Sequence, residues 1–167
     1  RAANSDAAIQ QALGKTERIW RRADGKPMTV EGEGVSAAHA QGYTLAVAGS
    51  GGVACDLETV ATRTDTVWRD LLGAERFTLA ERIARDQSEG ADYAATRLWA
   101  AVECMKKVGL TSQSPLVLES ATADGWVLFR SGALLIATCI ITVRGVKSTL
   151  AVAVGVRSVR ANEKLPT

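Results

Sequence analysis

The sequence has little of what most metal and nucleophile chemistry uses: one histidine and three cysteines in 167 residues. With His39 as the sole histidine, a Ser-His-Asp or Cys-His arrangement has a single residue to build on. Cys55, Cys104 and Cys139 are odd in number and have neither CxxC nor Cys-His spacing. That argues against a disulfide framework and against zinc, and with reduced thiols as the default it predicts a cytoplasmic location. A charge excess is also lacking. Lys and Arg total 20 against 18 Asp and Glu, a net +2, which gives no electrostatic case for a nucleic-acid partner. Long apolar runs are missing too. The longest, "ALLIATCIITV" at 133–143, is too short to cross a bilayer as a helix, and its β-branched content suits a buried strand, so no membrane partner is expected. The chain starts on Arg1 with no leader-like segment behind it, which predicts a processed chain or an excised domain.

What is present is the composition of a soluble globular protein, 47% hydrophobic and 23% charged, at a length that fits one domain with its own core. Residues 3–12 read as a weak helix or ordered arm, "ERIWRRA" as a strand, "DGKP" as a turn and "EGEGVS" as a glycine loop. "YTLAVAG" and "GVACDLE" read as two strands joined by "SGG", an antiparallel pair. From about 65 to 108 the apolar residues recur at helical spacing. The last of these segments, "GADYAATRLWAAVECMKKVG", contains no proline, has Ser88 as a candidate N-cap, and ends on Lys106, Lys107 and Gly109. Four further strands follow, "PLVLES", "GWVLFR", "ALLIATCIITVR" and "STLAVAVGVR", and residues 161–167 read as a tail. Strands, then helices, then strands predict an α+β fold with antiparallel-rich sheets packed on helices.

In "GVACDLE", Asp56 and Glu58 sit two apart in a strand and therefore share one face. Taken singly, such residues are polar positions at a strand end, and Glu103 with Lys107 is a solvated helical ion pair. Taken together they point elsewhere. Two adjacent carboxylates are most directly offset by an oxygen-seeking cation, and Mg²⁺ accepts few carboxylates while leaving positions for water and phosphate. Trp99, Glu103 and Lys107 lie at i, i+4 and i+8 on one side of the helix. If that helix crosses the strand, Glu103 becomes a third ligand and Lys107 a cation beside the same phosphate, a phosphoryl-transfer site. The glycines of "EGEG" and "GSGG" lack the Lys-Ser/Thr ending of a phosphate-cradling loop.

Asp-x-Glu ending a strand, followed by a helix bearing Trp-x-x-x-Glu-x-x-x-Lys, resembles the signature of 4′-phosphopantetheinyl transferases. "GKP" at 25–27 and "VSAAHA" at 35–40 match upstream elements of the surfactin-synthetase type, and the resemblance covers roughly residues 20–155. Among subgroups, "RLWAAVECMKKVG" looks most like the C-terminal domain of iterative enediyne polyketide synthases. The resemblance implies a transferase fold over 1–167, with halves at 1–58 and 59–160, either as a pseudo-dimer of similar halves or as a self-associating domain. It implies Asp56, Glu58 and Glu103 as Mg²⁺ ligands, Leu57 turned into the core, and coenzyme A as cosubstrate. Glu103 would also act as base and Lys107 as phosphate partner, while Lys26 and His39 would hold coenzyme phosphates. The implied activity is transfer of 4′-phosphopantetheine to a serine of an acyl carrier protein, within the chain's own synthase, in polyketide and enediyne antibiotic biosynthesis.

Three departures bear on the coenzyme. Val102 stands where the family has Lys, and Ala38 and Ala40 stand where serines flank the His, which predicts a weaker coenzyme A site with Lys106 or Arg97 replacing the missing contact. They also keep open a docking or dimerisation domain without productive coenzyme binding, and a metal-dependent phosphohydrolase is a third reading. The one sequence leaves open Lys26 as a turn residue, Arg21 and Arg22 as strand charges or coenzyme contacts, and carrier and acyl preference. Cys55, Cys104 and Trp99 are expected in the core.

Overall fold

The computed structural model describes residues 2–111 and 113–155, in an α+β architecture of antiparallel sheets and helices. The element order is α1 (Ala2–Leu13), β1 (Trp20–Arg21), β2 (Pro27–Met28), β3 (Gly34–Ala40), β4 (Tyr43–Gly49) and β5 (Val53–Thr59). Then come α2 (Asp65–Leu72), α3 (Ala74–Asp86), α4 (Ala91–Lys107), β6 (Val117–Ala121), β7 (Val127–Ser131), β8 (Leu134–Val143) and β9 (Val146–Gly155). The main sheet has the order β5-β9-β8-β7-β6 and is antiparallel throughout. The last two residues of "STLAVAVGVR" and the tail at 161–167 lie outside the described residues.

The pattern of side chains explains the layering. On β5, Ala54 joins the main core with α4, while Cys55 and Leu57 turn to the other face and pack with Ala38 of β3. One face of the main sheet thus receives α4, with α2 and α3 packed on that helix, and the β5 end of the other face receives the β3-β4 hairpin. Helix α1 covers the hairpin's outer side and buries Ile9 completely. Helix α4 is rich in small residues on its buried side, with Ala94, Ala95, Ala100 and Ala101 at 1% exposure or less, and it meets Ala54, Ala151 and Ala153 of the sheet in one cluster.

Two expectations about local structure are corrected. "YTLAVAG" and "GVACDLE" do not pair. β4 pairs with β3, from Gly34↔Gly49 to Ala40↔Tyr43, and β5 pairs with β9, from Val53↔Val154 to Thr59↔Ser148. The segment 34–40, half of it assigned above to a glycine loop, is therefore a full strand, and the connection after Gly49 carries the chain from one sheet to the other. Glycines permit this. Gly51 adopts φ of +108°, a Cβ on Gly34 would lie 1.9 Å from the Gly51 carbonyl oxygen, and Gly155 N donates to Gly52 O at 2.7 Å. The second correction concerns Ser88, which sits at φ +52° in the turn closing α3, while Gly90 is the N-cap residue of α4. "ERIWRRA" yields only the two-residue β1, paired with β2 across the "DGKP" turn. β5 spans residue 58 and is stitched into the sheet of β6 to β9, so hydrogen bonding is continuous across the 58/59 line. No helix among the described residues is long and apolar enough to cross a membrane.

Candidate functional site

β5 places Asp56 and Glu58 on the face that meets α4, as the two-residue period requires, and Leu57 between them is buried with the opposite cluster. Asp56 is paired with Ala151 in the ladder and its side chain is 9% exposed, so its position is fixed by the sheet. Helix α4 brings up Glu103 and Lys107 from the other side. The strand carboxylates feel their acidic neighbours: Glu58 is acted on by the charges of Asp56 and Glu103, and Asp56 by that of Glu103.

Burial is the main influence on both strand carboxyls. It pushes Asp56 up from the ordinary carboxyl range, and the Lys107 ammonium pulls it back only in part. Glu58 is pushed up by burial and then by the Asp56 charge, while the Trp99 indole, donating to Glu58, acts the other way. Trp99 is half-buried against the main core and also lies under the Lys106 ammonium, 4.9 Å from its ring centroid. It thus contributes both to packing, as expected, and to orienting Glu58.

Two lysines pair with two of the acids. Lys107 Nζ donates to Asp56 Oδ1 at 2.7 Å and to the Cys55 carbonyl at 2.8 Å. Lys106 Nζ donates to Glu103 Oε1 at 2.6 Å. Lys26 reaches across the sequence to cap the end of α4, donating from Nζ to the Lys107 carbonyl at 2.8 Å, where the helix dipole favours a cation. Lys26 therefore lies beside Lys107, and it borders a cavity of ≈ 250 Å³ shared with Arg22, Gly34, Gly51 and Gly52. A larger cavity, ≈ 780 Å³, lies between the α2-α3 region and β6, lined by Leu71, Arg76, Leu79 and Leu118 and by none of these acids.

The remaining sequence-predicted residues separate from this cluster. His39 is on the hairpin side that faces α1, bonded through Nε2 to Ser5 Oγ at 2.8 Å and through Nδ1 to Thr44 Oγ1 at 2.9 Å, and it does not face the α4 side of β5. Ala38 and Ala40 turn inward to pack with Cys55 and Leu57, where a serine hydroxyl would need a buried partner. Val102 is 4% exposed within the core, so a lysine at that position would bury its charge. Arg97, named above as a substitute phosphate contact, is 3% exposed and fully engaged by Glu89, Thr138 O and Gly125 O. Of the two candidate replacements, Lys106 is the one that lies beside Glu103. Arg21 pairs with Asp6 and Arg22 with Asp24. Cys55 and Cys104 are both buried, and burial raises the Cys55 thiol to about 11. Sequence spacing alone could have paired Trp99 with Lys106, one heptad apart on the helix, but gives no signal for Lys26 as a cap.

Whether a hard divalent cation suits these residues turns on Asp56. Its Oδ2 is buried and has no hydrogen-bond partner, a costly state that native structures rarely leave unexplained. An all-oxygen set with one unclaimed oxygen fits Mg²⁺ in donor chemistry. Among the described residues, however, no three His, Cys, Asp or Glu side chains are arranged as a ready-made metal cage, and Lys107 and Lys106 sit on two of the three acids. Scanned against protein-family models the chain finds no match, and a search of curated proteins likewise finds none.

Proposed function

We propose that the chain is a Mg²⁺-dependent 4′-phosphopantetheinyl transferase domain acting on a serine of an acyl carrier protein, in line with the resemblance of its strand and helix motifs. The observation that carries the reading is the unpartnered, buried Asp56 Oδ2 beside Glu58 and Glu103. Asp56, Glu58 and Glu103 would hold the ion, which when bound supplies charge neutralisation for a diphosphate. Lys107 and Lys26, adjacent at the end of α4, supply the positive charge that a diphosphate seeks, and the cavity bordered by Lys26 and Arg22 receives part of coenzyme A. The carrier serine oxygen forms a bond to the pantetheine-side phosphorus as the bond to 3′,5′-ADP breaks. Glu103 accepts the serine proton, directly or through water, and Lys107 stands next to the departing phosphate. His39, held by Ser5 and Thr44 on the hairpin's other side, is given no part in these steps.

The test is the mass of an apo carrier protein after incubation with coenzyme A and Mg²⁺. A phosphopantetheine increment is expected with the wild type. Asp56→Ala and Glu103→Ala should each lower the rate by about a hundredfold or more while far-UV circular dichroism stays unchanged, and Lys107→Ala should lose less. No increment on a folded carrier would remove the proposal.

A second reading has its own observation. With Lys107 seated on Asp56 and Lys106 on Glu103, two of the three acids are already neutralised, as in a docking or dimerisation domain that keeps the fold without coenzyme. Titration calorimetry with coenzyme A separates the two, since only the transferase gives metal-dependent heat.

A further inference from the structure

Lys107 occupies a position with unusual constraints on both sides. Its ammonium uses Asp56 Oδ1 and the Cys55 carbonyl as acceptors, at 2.7 and 2.8 Å. The Asp56 backbone is held by the ladder to β9, and its carboxylate is nine-tenths buried. The Lys107 backbone is held as well, since Lys26 is bonded to its carbonyl. What remains free is the four-carbon side chain, which is 31% exposed and can swing its head into water at little cost in desolvation. Meanwhile the other oxygen of the same carboxylate, Oδ2, has no partner although it is shielded from solvent.

We infer that Lys107 is a built-in counter-cation that holds Asp56 in the metal-free protein and is displaced when a divalent ion binds. The inference rests on the reading of Asp56 as a metal ligand. A monovalent ammonium satisfies one oxygen and the strand carbonyl, whereas a divalent ion at the same carboxylate meets a charge of like sign at hydrogen-bond range until the ammonium leaves. The displaced head stays tethered at the end of α4, beside Lys26, so that a free cation appears next to the ion at the moment of loading. Metal binding and the capture of an anionic ligand are then coupled through one side chain, each favouring the other.

The experiment follows Mn²⁺ binding to the protein alone, without coenzyme or carrier, by the loss of the free-ion paramagnetic resonance signal. It compares wild type, Lys107→Met and Lys107→Gln, each checked for folding by thermal melting. Removing the competitor should tighten Mn²⁺ by about tenfold, and adding Asp56→Asn to Lys107→Met should abolish the gain. In the wild type, Mg²⁺ should also shift the ¹⁵N resonance of the Lys107 ammonium, which a structural lysine would not show. If the folded Lys107 variants bind Mn²⁺ no more tightly than wild type, Lys107 is not a competitor, although the metal reading stands. If no form binds the ion, the reading of Asp56 as a ligand fails and this inference fails with it.

Discussion

Glu58 is half-buried beside another acid, and its consequence for stability follows from the direction of its shift. Burial first, and the Asp56 charge second, raise its folded value above that of an unfolded glutamate. The native state therefore holds more protons than the unfolded chain across the acid range, and stability falls as pH rises from near the unfolded value through the raised folded one. Glu58→Gln should relieve this. At neutral pH and without metal, the variant should melt higher than wild type by up to about 1 kcal/mol, a bound set low because the residue is partly solvated, and the difference should fade near pH 4. Urea melts at the two pH values decide it. The placement of Asp56 and Glu58 on one face was legible in the sequence, because a strand's period of two admits no other outcome. The lysines on the acids were not. The motif resemblance makes Lys107 a partner of phosphate, and only the approach of α4 to β5 shows that it donates to Asp56.

At the scale of elements, the helices and the C-terminal strands follow from periodicity and turns, whereas the partner of each central strand does not. Alternation tells which face of β4 is apolar but carries no information about which strand lies beside it, so the short glycine connection reads as a hairpin in the sequence. Gly34 records what happens instead. A Cβ there meets the Gly51 carbonyl oxygen, a backbone atom that cannot step aside, while a Cβ on Gly52 meets nothing within 4 Å. Gly34→Ala should therefore cost about 2 kcal/mol or more, and Gly52→Ala should be close to neutral. Equilibrium denaturation of the two variants checks the crossover directly. A pair of equal costs would favour the simple hairpin over the arrangement in which β3 takes β4 and β9 takes β5.

For the molecule as a whole, Arg97 ties distant parts together. Its guanidinium binds Glu89 before α4, the Thr138 carbonyl in β8 and the Gly125 carbonyl in the β6-β7 turn, all from a position 3% exposed. Arg97→Met would strand the Glu89 carboxylate and two carbonyls, and should lower stability by about 3 to 5 kcal/mol, seen as an early denaturant midpoint. A smaller loss, with coenzyme affinity falling instead, would restore the phosphate role that burial argues against. The alanines shared by α4, β5 and β9 have a different reach. They carry no charge and touch no ligand, yet their single methyl groups set the thickness of the layer through which strand and helix face one another. A gauge so thin makes the spacing of the acids hostage to carbon alone: one added methylene between helix and sheet would act as a shim, and could silence the site with every polar atom still in place.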